Sequence, residues 1–188
     1  MQSKTQCTHG ALNRRHLLIG ATAAATLPLA PALPAPARAR AVAQAATHED
    51  ERLMRLAIAE AKRGDYPFGA IIVCDGKVLV KGRNLGKQRH DPTAHGEMVA
   101  IRRFLAAHGP EKLKGTTLYT SGEPCCMCMG AIVWCGIARV VFAASVDQIA
   151  TKMGQIMISA AEVADKTPFE TVDITGGVLA SEAVALFK

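Results

Sequence analysis

Two short runs in this chain bring together side chains that could do chemistry: His95-Gly96-Glu97 and Pro124-Cys125-Cys126-Met127-Cys128. The first offers an imidazole and, two residues on, a carboxylate. The second offers thiols at Cys125 and Cys128, directly after a proline. His95, Cys125 and Cys128 make a set of three zinc ligands, and Glu97 is a carboxylate that need not bind the metal. Three protein ligands leave the fourth tetrahedral position to water, which is the pattern of a catalytic zinc site rather than a closed structural one. A metal so held makes its water acidic near neutral pH. Glu97 would stand close enough to move that water's proton.

Each residue alone has a plainer reading. His95 could be a histidine at a helix start, and Glu97 a capping acid. Cys125 and Cys128 could be a redox pair. A structural zinc would need a fourth ligand, and Cys126, Cys135, His90 and His108 are available. The redox reading leaves His95, Glu97 and Pro124 without a task. The combination therefore favours an open zinc site.

Both runs need elements that aim them at one point. Helical spacing over residues 48–63 ends at Gly64. Residues 68–74 form a continuous apolar run of strand length, and Asp75-Gly76 then leads into 77–80, a hairpin signal. Asp91 or Thr93 could cap a helix over 94–108, with Pro92 in its first turn. A strand over 116–120 precedes a helix from Pro124 to about residue 135. Strands follow at 139–143 and 169–174, and a closing helix at 181–187. Residues 144–168 show no clear pattern. Strands alternating with helices after one hairpin predict an α/β fold, a three-layer α/β/α sandwich around a mixed five-stranded sheet. Both metal-binding runs then open helices at strand-to-helix junctions, where open α/β folds gather ligands. The positive helix starts would help to ionise the thiols.

The front of the chain has a different character. Arg14-Arg15 precedes a stretch of Ala, Leu, Ile, Gly, Thr and Pro, and Ala37-Arg38-Ala39 is a small-x-small cleavage site, with cuts after Ala43 or Ala45 as alternatives. Charged, apolar and cleavable segments in that order read as a signal peptide, and paired arginines favour the twin-arginine route. Pro28, Pro31, Pro34 and Pro36 interrupt the apolar run, so a membrane anchor of roughly 20 residues is disfavoured. The expected organisation is a signal over 1–39 and a catalytic domain over 40–188, exported to the periplasm and free of the membrane once cut. The whole chain carries +6, but residues 40–188 hold 18 Lys+Arg against 16 Asp+Glu. A nearly neutral domain, in a chain with 4% aromatic residues overall, is a poor match for a polyanionic nucleic acid. Cys7 leaves with the signal, and Cys74 and Cys135 read as small buried hydrophobes.

The chain resembles the cytidine deaminase-like superfamily, and most closely the branch of bacterial guanine deaminases and tRNA adenosine deaminases. The resemblance is carried by Pro67-Phe68-Gly69-Ala70, Asn84, Asp91-Pro92-Thr93-Ala94-His95-Gly96-Glu97, the run from Leu118 through Pro124-Cys125-Cys126-Met127-Cys128, and Gly130-Ala131-Ile132. It extends over about residues 49–187. It implies zinc on His95, Cys125 and Cys128, with Glu97 as proton shuttle. It implies that Asn84 hydrogen-bonds the base or sugar and that Phe68 and Ala70 line the base pocket. It also implies a homodimer. Asp147 falls near an acidic residue with which guanine deaminases hold their substrate. Two departures stand out: Gly96 where the family usually has Ala, and Cys126 where Pro or Val is commoner.

Leu118 to Ile132, with Trp134, looks more like guanine deaminase, whereas residues 172–180 look more like tRNA adenosine deaminase. The charge balance and the export signal favour a free purine base or nucleoside, guanine first. The alternatives are a tRNA adenosine deaminase and an exported zinc-binding protein without activity.

Overall fold

The computed structural model describes residues 46–169 and 171–188. The signal reading of 1–39 lies outside them. Five strands form one sheet in the order β2-β1-β3-β4-β5, comprising β1 (Gly69–Cys74), β2 (Lys77–Arg83), β3 (Thr117–Gly122), β4 (Arg139–Ala144) and β5 (Asp173–Thr175). β1 runs antiparallel to both β2 and β3, while β3, β4 and β5 are parallel. The hairpin turn has Asp75 at φ 48° and Gly76 at φ 72°. Two positive φ values in succession make the tight turn whose twist suits paired strands. Central β1 is apolar throughout because both its faces are covered, whereas edge strand β2 alternates in exposure.

Helix α1 (His48–Ala61) is held by a reciprocal cap between Thr47 and Asp50 and buries Leu53, Met54, Ala57, Ile58 and Ala61. With Phe187 of the C-terminal segment it covers one face of the sheet, on Ile71, Val73, Tyr119 and Val141. On the other face, α3 (Gly96–His108) and α4 (Cys126–Trp134) pack Ala100, Phe104, Met129 and Ile132 against Ala70, Ile72, Leu118 and Phe142. The expected three layers are therefore present. α3 lies so close to the sheet that a Cβ on Gly82 would fall on the carbonyl oxygen of Gly96.

Four short α-helices, α2 (Gly86–Arg89), α5 (Val146–Ala150), α6 (Ala160–Asp165) and α7 (Ala180–Val184), and one 3-10 turn over Pro110–Lys112 complete the elements of the described residues. Sequence spacing predicted neither α2 nor the α5–α6 pair. Strand β5 begins at Asp173 rather than Phe169, and Cys74 and Cys135 are half-buried rather than buried. Among the described residues no helix is long and apolar enough to cross a membrane.

Candidate zinc centre

The helix starts differ from the sequence expectation in an instructive way. α3 is capped neither by Asp91 nor by Thr93. Its N-cap is His95, and that of α4 is Cys125, not Pro124. Asp91 instead accepts from the backbone and hydroxyl of Thr93, tightening the turn before His95. A cap residue has extended backbone, so its side chain leaves the helix end rather than lying along its flank. His95 and Cys125 both do this at φ near −60° and ψ near 160°. Glu97 and Cys128 follow in the first turns of the same two helices, where dipoles present partial positive charge.

The two helix starts meet. His95 Nδ1 lies 3.7 Å from Cys125 Sγ and 3.6 Å from Cys128 Sγ. The three ligand atoms all stand within 4.8 Å of one another. Tetrahedral zinc with its usual bond lengths places nitrogen and sulfur about 3.5 Å apart. The residues therefore fit the ion, and His95 offers its Nδ1. Among the described residues no other group of three or more His, Cys, Asp or Glu side chains could hold a metal.

The thiols act as a pair. The Cys128 thiol donates to the Cys125 sulfur, and with His95 this holds Cys125 low, at about 4. The same bond, burial and the nearby Glu97 carboxylate push Cys128 up. The Cys125 sulfur in turn raises the imidazole of His95 above its ordinary value. A divalent ion replaces these shared protons, since coordinated thiols are deprotonated. Glu97 is 3% exposed, and burial pushes its carboxyl up to about 7.

The wall beside the metal ligands is aromatic. Phe68 stacks nearly parallel to the His95 ring, with centroids 6.3 Å apart, and meets the edge of Phe187 at 5.2 Å. Asn84 is buried where β2 ends. Its Oδ1 accepts from Gly86 N–H at 3.0 Å, and its own backbone N–H donates to the Phe68 carbonyl at 2.8 Å. The Gly86 donor fixes which end of the amide is oxygen, so Asn84 has its Nδ2 donors left for a ligand. Ala70 lies elsewhere. It has no exposed surface and packs inside the core between Gly82 and Thr120, so no atom of it is presented to a ligand. Asp147 is exposed in the first turn of α5. Ile149 of that helix comes against Gly122 and Phe68, which places α5 at the same end of the sheet. Cys126 is half-buried and stands outside the ligand group. The sequence reading passed over Glu123, although it immediately precedes Pro124; its carboxylate binds two backbone amides.

Residues 47–144 match the family described as the cytidine and deoxycytidylate deaminase zinc-binding region, and the chain belongs to that family. It is 40% identical over 100 residues to the tRNA-specific adenosine deaminase of Bacillus subtilis, a match covering 51% of this chain and 62% of that protein. It is 47% identical over 78 residues to the guanine deaminase of Bacillus subtilis, covering 42% of this chain and 50% of that protein. The chain thus spans less than two thirds of either relative. A solved structure from a study of A-to-I editing by tRNA:A34 deaminases superposes with a TM-score of 0.62 at 31% identity, over 72% of this chain and 98% of that one.

Proposed function

We propose that this protein removes the exocyclic amino group of a free purine base or nucleoside by hydrolysis, guanine being the first candidate. The observation that carries the reading is the buried Glu97 carboxylate beside a three-ligand zinc set. Bound there, zinc supplies Lewis acidity to a water in its fourth position. With the metal held by His95, Cys125 and Cys128, Glu97 would take one proton of the attacking water and place it on a ring nitrogen as the hydroxide oxygen bonds the amino-bearing carbon, then move the remaining hydroxyl proton to the amine, so that the C–N bond breaks, ammonia leaves and the carbon keeps the oxygen as a carbonyl. A carboxyl poised near neutrality can serve in both directions. His95 is steadied by the parallel ring of Phe68, which also offers a flat apolar wall to a base. Asn84 would donate from Nδ2 to a ring acceptor. Asp147 would accept from a ring N–H such as guanine N1–H, a position at which adenine has only an acceptor nitrogen.

The kinship with tRNA adenosine deaminases supports a second substrate, adenosine in an anticodon loop. Against it stands the charge balance of residues 40–188, since a polyanion needs a basic surface. Ammonia release from guanine, adenine, adenosine, cytosine and cytidine, beside inosine formation in an anticodon stem-loop RNA, separates the two. Guanine turnover without RNA editing is the expected result. Inosine in the RNA with silence on every free base would transfer the assignment to tRNA.

Export by the twin-arginine route belongs to the same proposal: a protein carried across already folded would keep a zinc site loaded in the cytosol. So does a homodimer. Trp134 at the end of α4 is 78% exposed, with Phe169 beside it, and Ile156, Met157 and Ile158 are exposed where the chain leads into α6, which packs on α4. Exposed apolar side chains of this kind support an interface with a second copy. Light scattering of the purified protein should give twice the chain mass.

A further inference from the structure

Glu123 has a part in this site that the zinc chemistry does not require. Its Oε2 accepts from Val146 N–H at 2.9 Å, and its Oε1 accepts from Ala160 N–H at 2.8 Å. Its own backbone N–H donates to the Ala144 carbonyl at 2.7 Å, continuing the line of β3. Val146 and Ala160 are the first residues of α5 and α6. Opening amides of a helix lack partners within it, and both helix starts favour a negative charge. Ser145 and Ser159 cap the amides of Gln148 and Glu162, two residues further into each helix, so Glu123 reaches donors that the local caps leave over.

One carboxylate therefore joins three pieces of chain. It stands two residues before the ligand Cys125. It holds the amide immediately before Asp147. It also holds the far end of the intervening loop, 14 residues further on. Ile149 and Met153 tie the start of that loop to the core, but Ile156, Met157 and Ile158 before its far end are exposed. α5 touches the pocket wall through Ile149, which lies against Phe68 and Gly122.

We propose that Glu123 is a positioning residue, whose clamp on Val146 and Ala160 fixes the pocket wall carrying Asp147 relative to the metal ligand Cys125. It touches neither metal nor substrate. It acts on how well the base is held, and leaves the chemical step to Glu97. This inference rests on the deaminase reading for its kinetic test, but its hydrogen bonds do not.

Glu123→Gln is the informative variant. A carboxamide has one oxygen for two N–H donors, so its NH2 group must face one of them. With zinc-loaded protein and the base that the wild type turns over best, KM should rise about tenfold, the scale of one lost hydrogen bond to a charged group, while kcat stays within about threefold. Zinc content should be unchanged. In a double-mutant cycle, Asp147→Ala should cost far less in the Glu123→Gln background than alone, because the two act through one wall. Loss of zinc, a fall in kcat at unchanged KM, or additive effects would overturn the proposal. Hydrogen exchange covers the case in which the wild type turns over no base, which is a failure of the deaminase reading alone. Amides across residues 146–160 should then still lose protection in Glu123→Gln, and unchanged protection would overturn the clamp.

Discussion

His95 and Cys125 stand 30 residues apart in sequence, yet each is the N-cap of its helix, and Nδ1 of one lies 3.7 Å from Sγ of the other. The site is a meeting of two helix starts. Each start gives one ligand at the cap and one functional group in the first turn: Glu97 after His95, and Cys128 after Cys125. Extended cap backbone turns both leading side chains out of their helices toward one point. Among the described residues no fourth His, Cys, Asp or Glu joins this ligand group, and Glu97 is a buried acid in the first turn after His95.

Replacing Glu97 with Ala should separate metal binding from turnover. Zinc stoichiometry should hold, because His95, Cys125 and Cys128 are untouched. Deamination should fall by at least about a thousandfold, the upper part of the range for a lost general acid–base. Metal analysis beside an ammonia assay checks both. Turnover near the wild-type rate would remove Glu97 from the mechanism.

At Gly96, the first residue of α3, the packing leaves little room for a side chain. A Cβ there would stand 2.8 Å from the Phe68 carbonyl oxygen. That carbonyl accepts the backbone N–H of Asn84, so the methyl would press on the bond joining Phe68 to Asn84. Alanine favours helix over glycine by about 1 kcal/mol at an interior position, but closely packed backbone cannot retreat freely. Gly96→Ala should therefore lower the melting temperature by a few degrees and raise KM several-fold, with zinc retained. A more stable variant with unchanged KM would show that the approach of Phe68 is not what excludes the methyl.

On the opposite face, Asp50 carries the response to acid. Burial disfavours its charge, but hydrogen bonds from Arg139, from the Thr47 backbone, and from the hydroxyls of Tyr119 and Thr47 outweigh that and hold the carboxyl far below the usual range. A depressed folded value means that the stability is fully present above the unfolded value, about pH 4, and drains away as pH falls below it. Asp50→Asn should cost about 3 kcal/mol at pH 7, since Arg139 loses its buried partner. In denaturant titrations the gap between variant and wild type should narrow from about pH 4 downward. A gap that stays constant to pH 3 would contradict this assignment.

Local signals in the sequence were sufficient for the order of the main elements. Asp75-Gly76 marks its hairpin because only a few residues accept two positive φ values, and the apolar run of 69–74 reflects a strand covered on both faces. The ligand set was legible because zinc needs particular atoms, whatever their distance along the chain. The helix starts were misjudged by a few residues, since Asp91 and Thr93 bond each other rather than the helix. α5 and α6 did leave a trace: Ser145 with Gln148, and Ser159 with Glu162, are reciprocal caps. Helices of five and six residues have too few turns for an apolar stripe, so those caps were the only local evidence. Tertiary partners such as Asp50 and Arg139, or Glu123 and Ala160, depend on topology and leave no periodic mark.

X-ray absorption at the zinc edge of the purified protein tests most directly whether the metal keeps a corner for solvent. The expected shell is two sulfurs near 2.3 Å and two nitrogen or oxygen neighbours near 2.0 Å: Cys125, Cys128, His95 and one water. Three or four sulfurs, with Cys126 or Cys135 drawn in, would mean a closed structural site, and the hydrolytic account would fall with it.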